Sequence, residues 1–165
     1  MRRTILSILL LSILMAPVSC SMAPSRSEDV NQETTARLYH VREVIDGDTF
    51  YLEDGEKVRL IGIDAPETPH SYKQRNFYYG VEAREYLKKR IESKDVRLEF
   101  DQEERDQYGR LLAYVWLNDN LFINADLIEQ GYARVVSFPP NLKYHDQLRR
   151  LEKEARKNKR GLWKK

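Results

Sequence analysis

The chain has 165 residues, of which 41% are hydrophobic and 33% charged. That length suits one domain plus processing segments, and the composition is too apolar for wholesale disorder and too polar for a multi-span membrane protein. The formal net charge is only +2, so no global electrostatic pull singles out a polyanionic partner.

The first twenty residues depart from that average. Arg2 and Arg3 precede an apolar run from Ile5 to Met15, and small and turn-forming residues end at Cys20. This is the layout of a secretory signal peptide, with a core short for a bilayer span. Export is therefore expected, giving a secreted, periplasmic or membrane-anchored product. Cys20 is the one cysteine, so no internal disulfide forms. Its position resembles a bacterial lipoprotein acceptor: Val18 and Ser19 are small, although Pro17 stands where such signals usually carry leucine. Two fates stay open, diacylation of Cys20 with membrane attachment, or ordinary cleavage and release. Without residues 1–20 the chain has 26 basic and 26 acidic residues. Any charge-driven binding then rests on local patches.

Residues 21–35 (SMAPSRSEDVNQETT) are polar and carry no apolar periodicity. They read as a flexible tether with a reach of about 50 Å at roughly 3.4 Å per residue. The folded domain is assigned to residues 36–165. Strands are predicted over Leu38 to Val44, Thr49 to Leu52 and Lys57 to Ile63, with Asp54-Gly55 turning between the second and third. A helix is predicted from Gly80 to Ser93, with Ala83, Leu87 and Ile91 on one face. Val96 to Phe100 alternates as a half-buried strand, and Leu111 to Leu117 is expected to pair with Leu121 to Ile123. Asn124 reads as the N-cap of a short helix and Gly131 as its stop. A last helix, Lys143 to Lys159, places Tyr144, Leu148, Leu151 and Ala155 at helical spacing. Clustered strands with inserted and appended helices predict a mixed α+β fold, a five-stranded OB-fold β-barrel with about three helices.

Two acidic turns carry the chemistry: Asp46-Gly47-Asp48 between the first two strands, and Asp64-Ala65-Pro66-Glu67 after the third. They offer hard oxygen ligands suited to calcium or magnesium, whereas His40, His70 and His145 are scattered and form no zinc-type set. Pro66 biases Ala65 toward an extended conformation that leaves its carbonyl free. Arg59 precedes Asp64 on one strand and Arg110 follows the turn Asp106-Gln107-Tyr108-Gly109. Guanidinium groups match phosphate oxygens bidentately. A metal site, a carboxylate to handle water and two arginines make a phosphoester-hydrolysing set.

The strings VIDGDTF, VRLIGIDAPE, YGVEAREYLK, DQYGRLLAYVW and NADLIEQGYARV resemble the thermonuclease, or staphylococcal-nuclease-like, family in order and spacing. The resemblance implies that Asp48, Asp64 and the Ala65 carbonyl bind calcium. It implies that Glu67 positions or activates water and that Arg59 and Arg110 hold the scissile phosphate. It further implies endonucleolytic cleavage of DNA and RNA leaving 3′-phosphate and 5′-hydroxyl ends, by a chain expected to act as a monomer. Many members have threonine where Ala65 stands, and tyrosines where this chain reads Val136-Ser137-Phe138-Pro139-Pro140. For Tyr108, substrate contact and simple packing both stay open. Asp46 and Asp106 read as turn-fixing residues.

Two other functions compete with this reading. A catalytically silent OB-fold that binds single strands has no need for an acidic cluster that repels phosphate. A structural envelope lipoprotein leaves the motifs unexplained. From Arg149 to Lys165 nine basic residues face Glu152 and Glu154. Nucleic acid or anionic headgroups would suit that run, and its plainer reading is a solvated helix face.

Overall fold

The structure is a computed structural model that describes residues 37–68, 79–118 and 120–164. The leader-like segment, the tether, Cys20 and His70 lie outside the described residues. Thr35–Lys165 form one compact unit.

Chain order is β1 (Leu38–Asp46), β2 (Thr49–Leu52), β3 (Lys57–Leu60), β4 (Ile63–Asp64), α1 (Gly80–Ile91), β5 (Asp95–Glu99) and β6 (Leu111–Leu117). Then come β7 (Leu121–Phe122), α2 (Ile123–Glu129), β8 (Arg134–Val135), α3 (His145–Lys157) and a 3-10 turn (Gly161–Trp163). The antiparallel order β3-β2-β1-β5-β6 closes on itself because β3 also pairs in parallel with β6, Val58 opposite Leu111 and Arg59 opposite Leu112. That is the predicted five-stranded barrel. A parallel pair needs a long crossover, and the segment carrying α1 and β5 supplies it. β7 folds back on β6 with Trp116 opposite Phe122, the pairing expected between these two segments.

Apolar residues alternate along β3 and β5, so Val58, Leu60, Val96 and Leu98 point into the barrel. β6 breaks that rule. Leu111 to Val115 are all buried, since one face lines the barrel and the other lies under α2. α1 buries Ala83, Leu87 and Ile91 against β1, the stripe expected from their spacing. α3 buries Leu148, Glu152 and Ala155 on α2 and β8.

The third strand is not continuous to Ile63. It stops at Leu60, and Gly62, at φ 77°, turns the chain out of the barrel; such a left-handed backbone favours glycine. β4 beyond it pairs with β8 in a separate two-stranded sheet, Asp64 opposite Arg134. Asn124 is not an N-cap either. Phe122 takes the cap position, and Asn124, fully buried inside α2, accepts from the Val115 N–H at 2.9 Å and donates to the Ile61 carbonyl at 2.9 Å. Those two bonds tie the turn before β4 to the barrel wall. The outer helices are also shorter than their periodicity suggested, ending at Ile91 and Lys157.

Candidate active site

Asp48 projects from the β1–β2 turn. Gly47 just before it is held against Ala65 and Ala83, whose Cβ atoms would lie 2.6 and 2.7 Å from any Cβ added there. Glycine is required by this close approach. The Asp48 side chain is nearly buried; Oδ1 accepts from Thr49 Oγ1 at 2.9 Å and Oδ2 from the Ala65 N–H at 2.7 Å. Arg59, opposite Thr49 on β3, reaches the same carboxylate with Nη1. Its Nη2 lies 3.2 Å from Asp64 Oδ1. Burial pushes the Asp48 carboxyl above its ordinary value, against the pull of Arg59, the Ala65 N–H and the Thr49 hydroxyl, and Asp64 pushes the same way as burial. Two carboxylates thus converge on one cationic head group.

Asp64 is 39% exposed at its side chain, and its second oxygen lies 3.3 Å from Nη2 of Arg134. Beyond Ala65 the chain runs through Pro66 to Glu67, whose backbone carbonyl packs against Gly80 at the start of α1. The Glu67 side chain is exposed and has no ion pair among the described residues. Asp46 accepts from the Thr68 N–H at 3.3 Å. It therefore fixes the loop after Glu67, beyond the local turn it was expected to hold.

Arg110 and Tyr108 belong to a separate loop before β6. Arg110 stands two residues ahead of Leu112, the register partner of Arg59, so its backbone is roughly 7 Å along the neighbouring strand at about 3.3 Å per residue. Its Nε donates to Asp106 Oδ2 at 2.6 Å, and Asp106 Oδ1 takes the N–H groups of Tyr108 and Arg110. Burial alone would raise the Asp106 carboxyl, but these bonds, led by the Arg110 side chain, hold it below the ordinary range. Asp106 thus fixes the turn as expected and also anchors Arg110. Tyr108 is 75% exposed, with Arg110 above its ring, so packing does not explain it. The structure brings Asp48, Arg59, Asp64 and Ala65 together and sets Glu67 on the same loop. Arg110 and Tyr108 share the neighbouring loop without touching the carboxylate pair. Phe138, 42% exposed, lines a recess with Arg59, Leu112 and Asn141.

The sequence profile described as "Staphylococcal nuclease homologue" matches residues 57–165. The chain belongs to the staphylococcal nuclease family. It is 45% identical over 142 residues to the thermonuclease of Staphylococcus intermedius, covering 83% of this chain and 80% of that protein. Identity to the thermonuclease of Staphylococcus hyicus is 38% over 162 residues, 95% of this chain and 91% of that one. The endonuclease YncB of Bacillus subtilis is 42% identical over 73% of this chain and 59% of its own length.

The profile match begins at Lys57, so in this staphylococcal nuclease domain the place of Asp48 beside Arg59 rests on geometry. Sequence reasoning missed Arg134. It stands inside a string that carried the family resemblance, but a two-residue strand has no period to reveal it, and nothing local links it to Asp64 seventy residues earlier.

A hard cation fits the carboxylate pair. The donors are all oxygens, and Asp48 and Asp64 already share one cationic partner. Carboxylate and carbonyl oxygens suit a hard divalent ion.

Proposed function

We propose that this protein is a calcium-dependent endonuclease that hydrolyses the phosphodiester bonds of DNA and RNA, leaving 3′-phosphate and 5′-hydroxyl ends. The observation that carries the reading is the convergence of Asp48, Arg59 and Asp64 in a chain whose relatives include thermonucleases and an endonuclease. A silent binding module would gain nothing from two carboxylates at its phosphate site, because they repel the ligand.

Asp48, Asp64 and the Ala65 carbonyl would hold the calcium ion. Bound there, it supplies neutralisation of a phosphate oxygen and polarisation of the phosphorus centre. Glu67, whose carboxylate has no ion pair among the described residues, accepts a proton from the attacking water at a carboxylate oxygen. The water oxygen bonds to phosphorus in line with the 5′ oxygen, the P–O5′ bond breaks, and the leaving oxygen takes a proton from solvent. Arg59 and Arg110 donate to the non-bridging oxygens, where charge grows. Tyr108 lies beside Arg110 and contacts the substrate at the same edge.

The test is cleavage of single-stranded DNA, double-stranded DNA and RNA by the purified protein with calcium, with magnesium and with a calcium chelator. Calcium-dependent cutting that vanishes in Asp48→Ala supports the metal site. A folded protein that binds single strands and never cuts them moves the assignment to the silent platform. The reading extends to an exported monomer whose leader is removed at or just before Cys20 and whose residues 21–35 tether the domain. The mass of the mature N-terminus distinguishes a diacylglyceryl-modified Cys20 from a released chain.

A further inference from the structure

Nearly every cation of the barrel is matched. Arg59, Lys88, Arg90, Arg97, Arg105, Arg110, Arg134 and Lys143 each have a carboxylate within 4.0 Å. Arg37, Arg42 and Lys57 lie over tyrosine rings, and Arg84 and Lys94 donate to backbone carbonyls. On α3 only Arg156 is matched, by Glu152. Arg149, Arg150, Lys153 and Lys157 are exposed and have no carboxylate or ring partner among the described residues, and Lys159 just beyond is like them. Glu154, on the same helix, pairs with none of them. A face solvated for solubility alone would mix its signs, as the barrel surface does. Unmatched like charges along one helix repel each other, and an external anion relieves that repulsion.

Position argues for the anion's identity. Leu148 comes within 3.0 Å of the spot a Cβ on Gly62 would occupy, and Glu152 accepts from the Val135 N–H at 3.3 Å. These two contacts fasten α3 to the turn and short strand that carry Asp64 and Arg134. Arg149, Lys153 and Arg156 follow at spacings of four and three residues on the flank of Glu152, a stripe about 10 Å long at 1.5 Å per residue. With Arg150 and Glu152 they line an open groove of about 560 Å³. Arg156 is held there by Glu152 at 3.2 Å and by the Trp163 ring, whereas Arg149, Arg150 and Lys153 have no side-chain partner among the described residues.

We propose that this groove of α3 is a second binding surface for the phosphate backbone of nucleic acid. It holds the strand beyond the nucleotides seated at Asp48 and Asp64, and in that respect rests on the nuclease reading. A single stripe beside the substrate site suits a strand running off that site better than it suits a flat anionic membrane.

The experiment measures binding, in a calcium chelator so that nothing is cut. Affinity of the full chain for a long single-stranded DNA is followed by fluorescence anisotropy across a salt series. It is then repeated with the combined variant Arg149→Gln, Arg150→Gln, Lys153→Gln, all exposed positions whose loss leaves the buried face of α3 intact. Three lost phosphate contacts lower the slope of log K against log salt by about 2, at roughly 0.7 per contact for single strands, with an affinity loss of about tenfold or more at low salt. Lys89→Gln on α1 is the charge control and leaves the slope where it was. An unchanged slope in the combined variant overturns the proposal. So does a variant that loses only its affinity for vesicles containing anionic lipid, since that assigns the groove to a membrane surface. A groove-dependent slope in a protein that never cuts with calcium would end the nuclease reading and leave this one standing.

Discussion

Arg59 touches both carboxylates of the site, so any cation entering between Asp48 and Asp64 competes with its guanidinium. Replacing it removes a positive charge from the cation's position and a donor from the phosphate. Arg59→Gln is therefore expected to bind calcium more tightly in calorimetry without substrate, while turnover falls on the order of 100-fold or more. Weaker calcium binding in that variant would mean that the guanidinium organises the carboxylates for the ion. Glu67 is the simpler case, because its side chain is exposed and has no ion pair among the described residues. Glu67→Gln should lose about 100-fold or more in rate with an unaltered circular dichroism spectrum. An undiminished rate removes Glu67 from the proton transfer.

Short elements are held where they are by buried polar residues whose partners lie far off in sequence. Asn124 serves the Val115 N–H and the Ile61 carbonyl at once. Asn124→Ala strands both groups in the core and is expected to cost about 3 kcal/mol in urea unfolding, with the Gly62 turn and Asp64 loosened first. Glu99 joins β5 to the start of α3, accepting from Trp116 at 3.0 Å, Tyr144 at 2.9 Å and Lys143 at 2.5 Å. Burial alone would raise its carboxyl, but these bonds, Lys143 foremost, outweigh burial and hold it below 4.5. A carboxyl with a depressed folded pKa stabilises above its unfolded value, and that stability disappears as pH falls through the folded one. Glu99→Gln should then lower the melting temperature at neutral pH by a few degrees and flatten its fall below about pH 4.5. A variant whose melting temperature falls as steeply with acid as the parent's would locate the pH dependence elsewhere.

At the scale of the molecule, the buried core of the described residues runs from Val41 to Ala155, with Tyr39 packed against it. A chain beginning at Thr35 is expected to unfold in one cooperative transition with coincident far-ultraviolet and fluorescence curves. Two separated transitions would show that the preceding residues complete the fold. Most of the architecture was readable beforehand. Ala83, Leu87 and Ile91 announce α1 by spacing, and alternation marks Lys57 to Leu60 and Val96 to Leu98, because those patterns reflect which face each element buries. The recurring strings around Asp48, Asp64 and Arg110 made the family and the candidate residues legible for a similar reason, each being a local loop with its own turn chemistry.

Local pattern carried no information about pairing at a distance. β3 ends before the predicted Ile63 because Leu60 and Ile61 are adjacent apolar residues that already break the period of two, and Gly62 then turns the chain through its backbone angle. Asn124 looked like a cap because its side chain's true partners, on β6 and in the Ile61 turn, are invisible from its neighbours. The basic run after Arg149 reads as a solvated face in sequence, because only the folded chain shows that Arg149, Arg150 and Lys153 have no carboxylate partner among the described residues while Arg156 and Arg160 do. Residue types, helix faces and loop motifs were written in the order of the amino acids. The meeting of Arg59 with two carboxylates, the clasp of Arg134 on Asp64 and the docking of α3 beneath them were decided by folding. They depend on the parallel closure of β3 on β6 and the pairing of β4 with β8, and register between distant segments is set by the packing of the whole core.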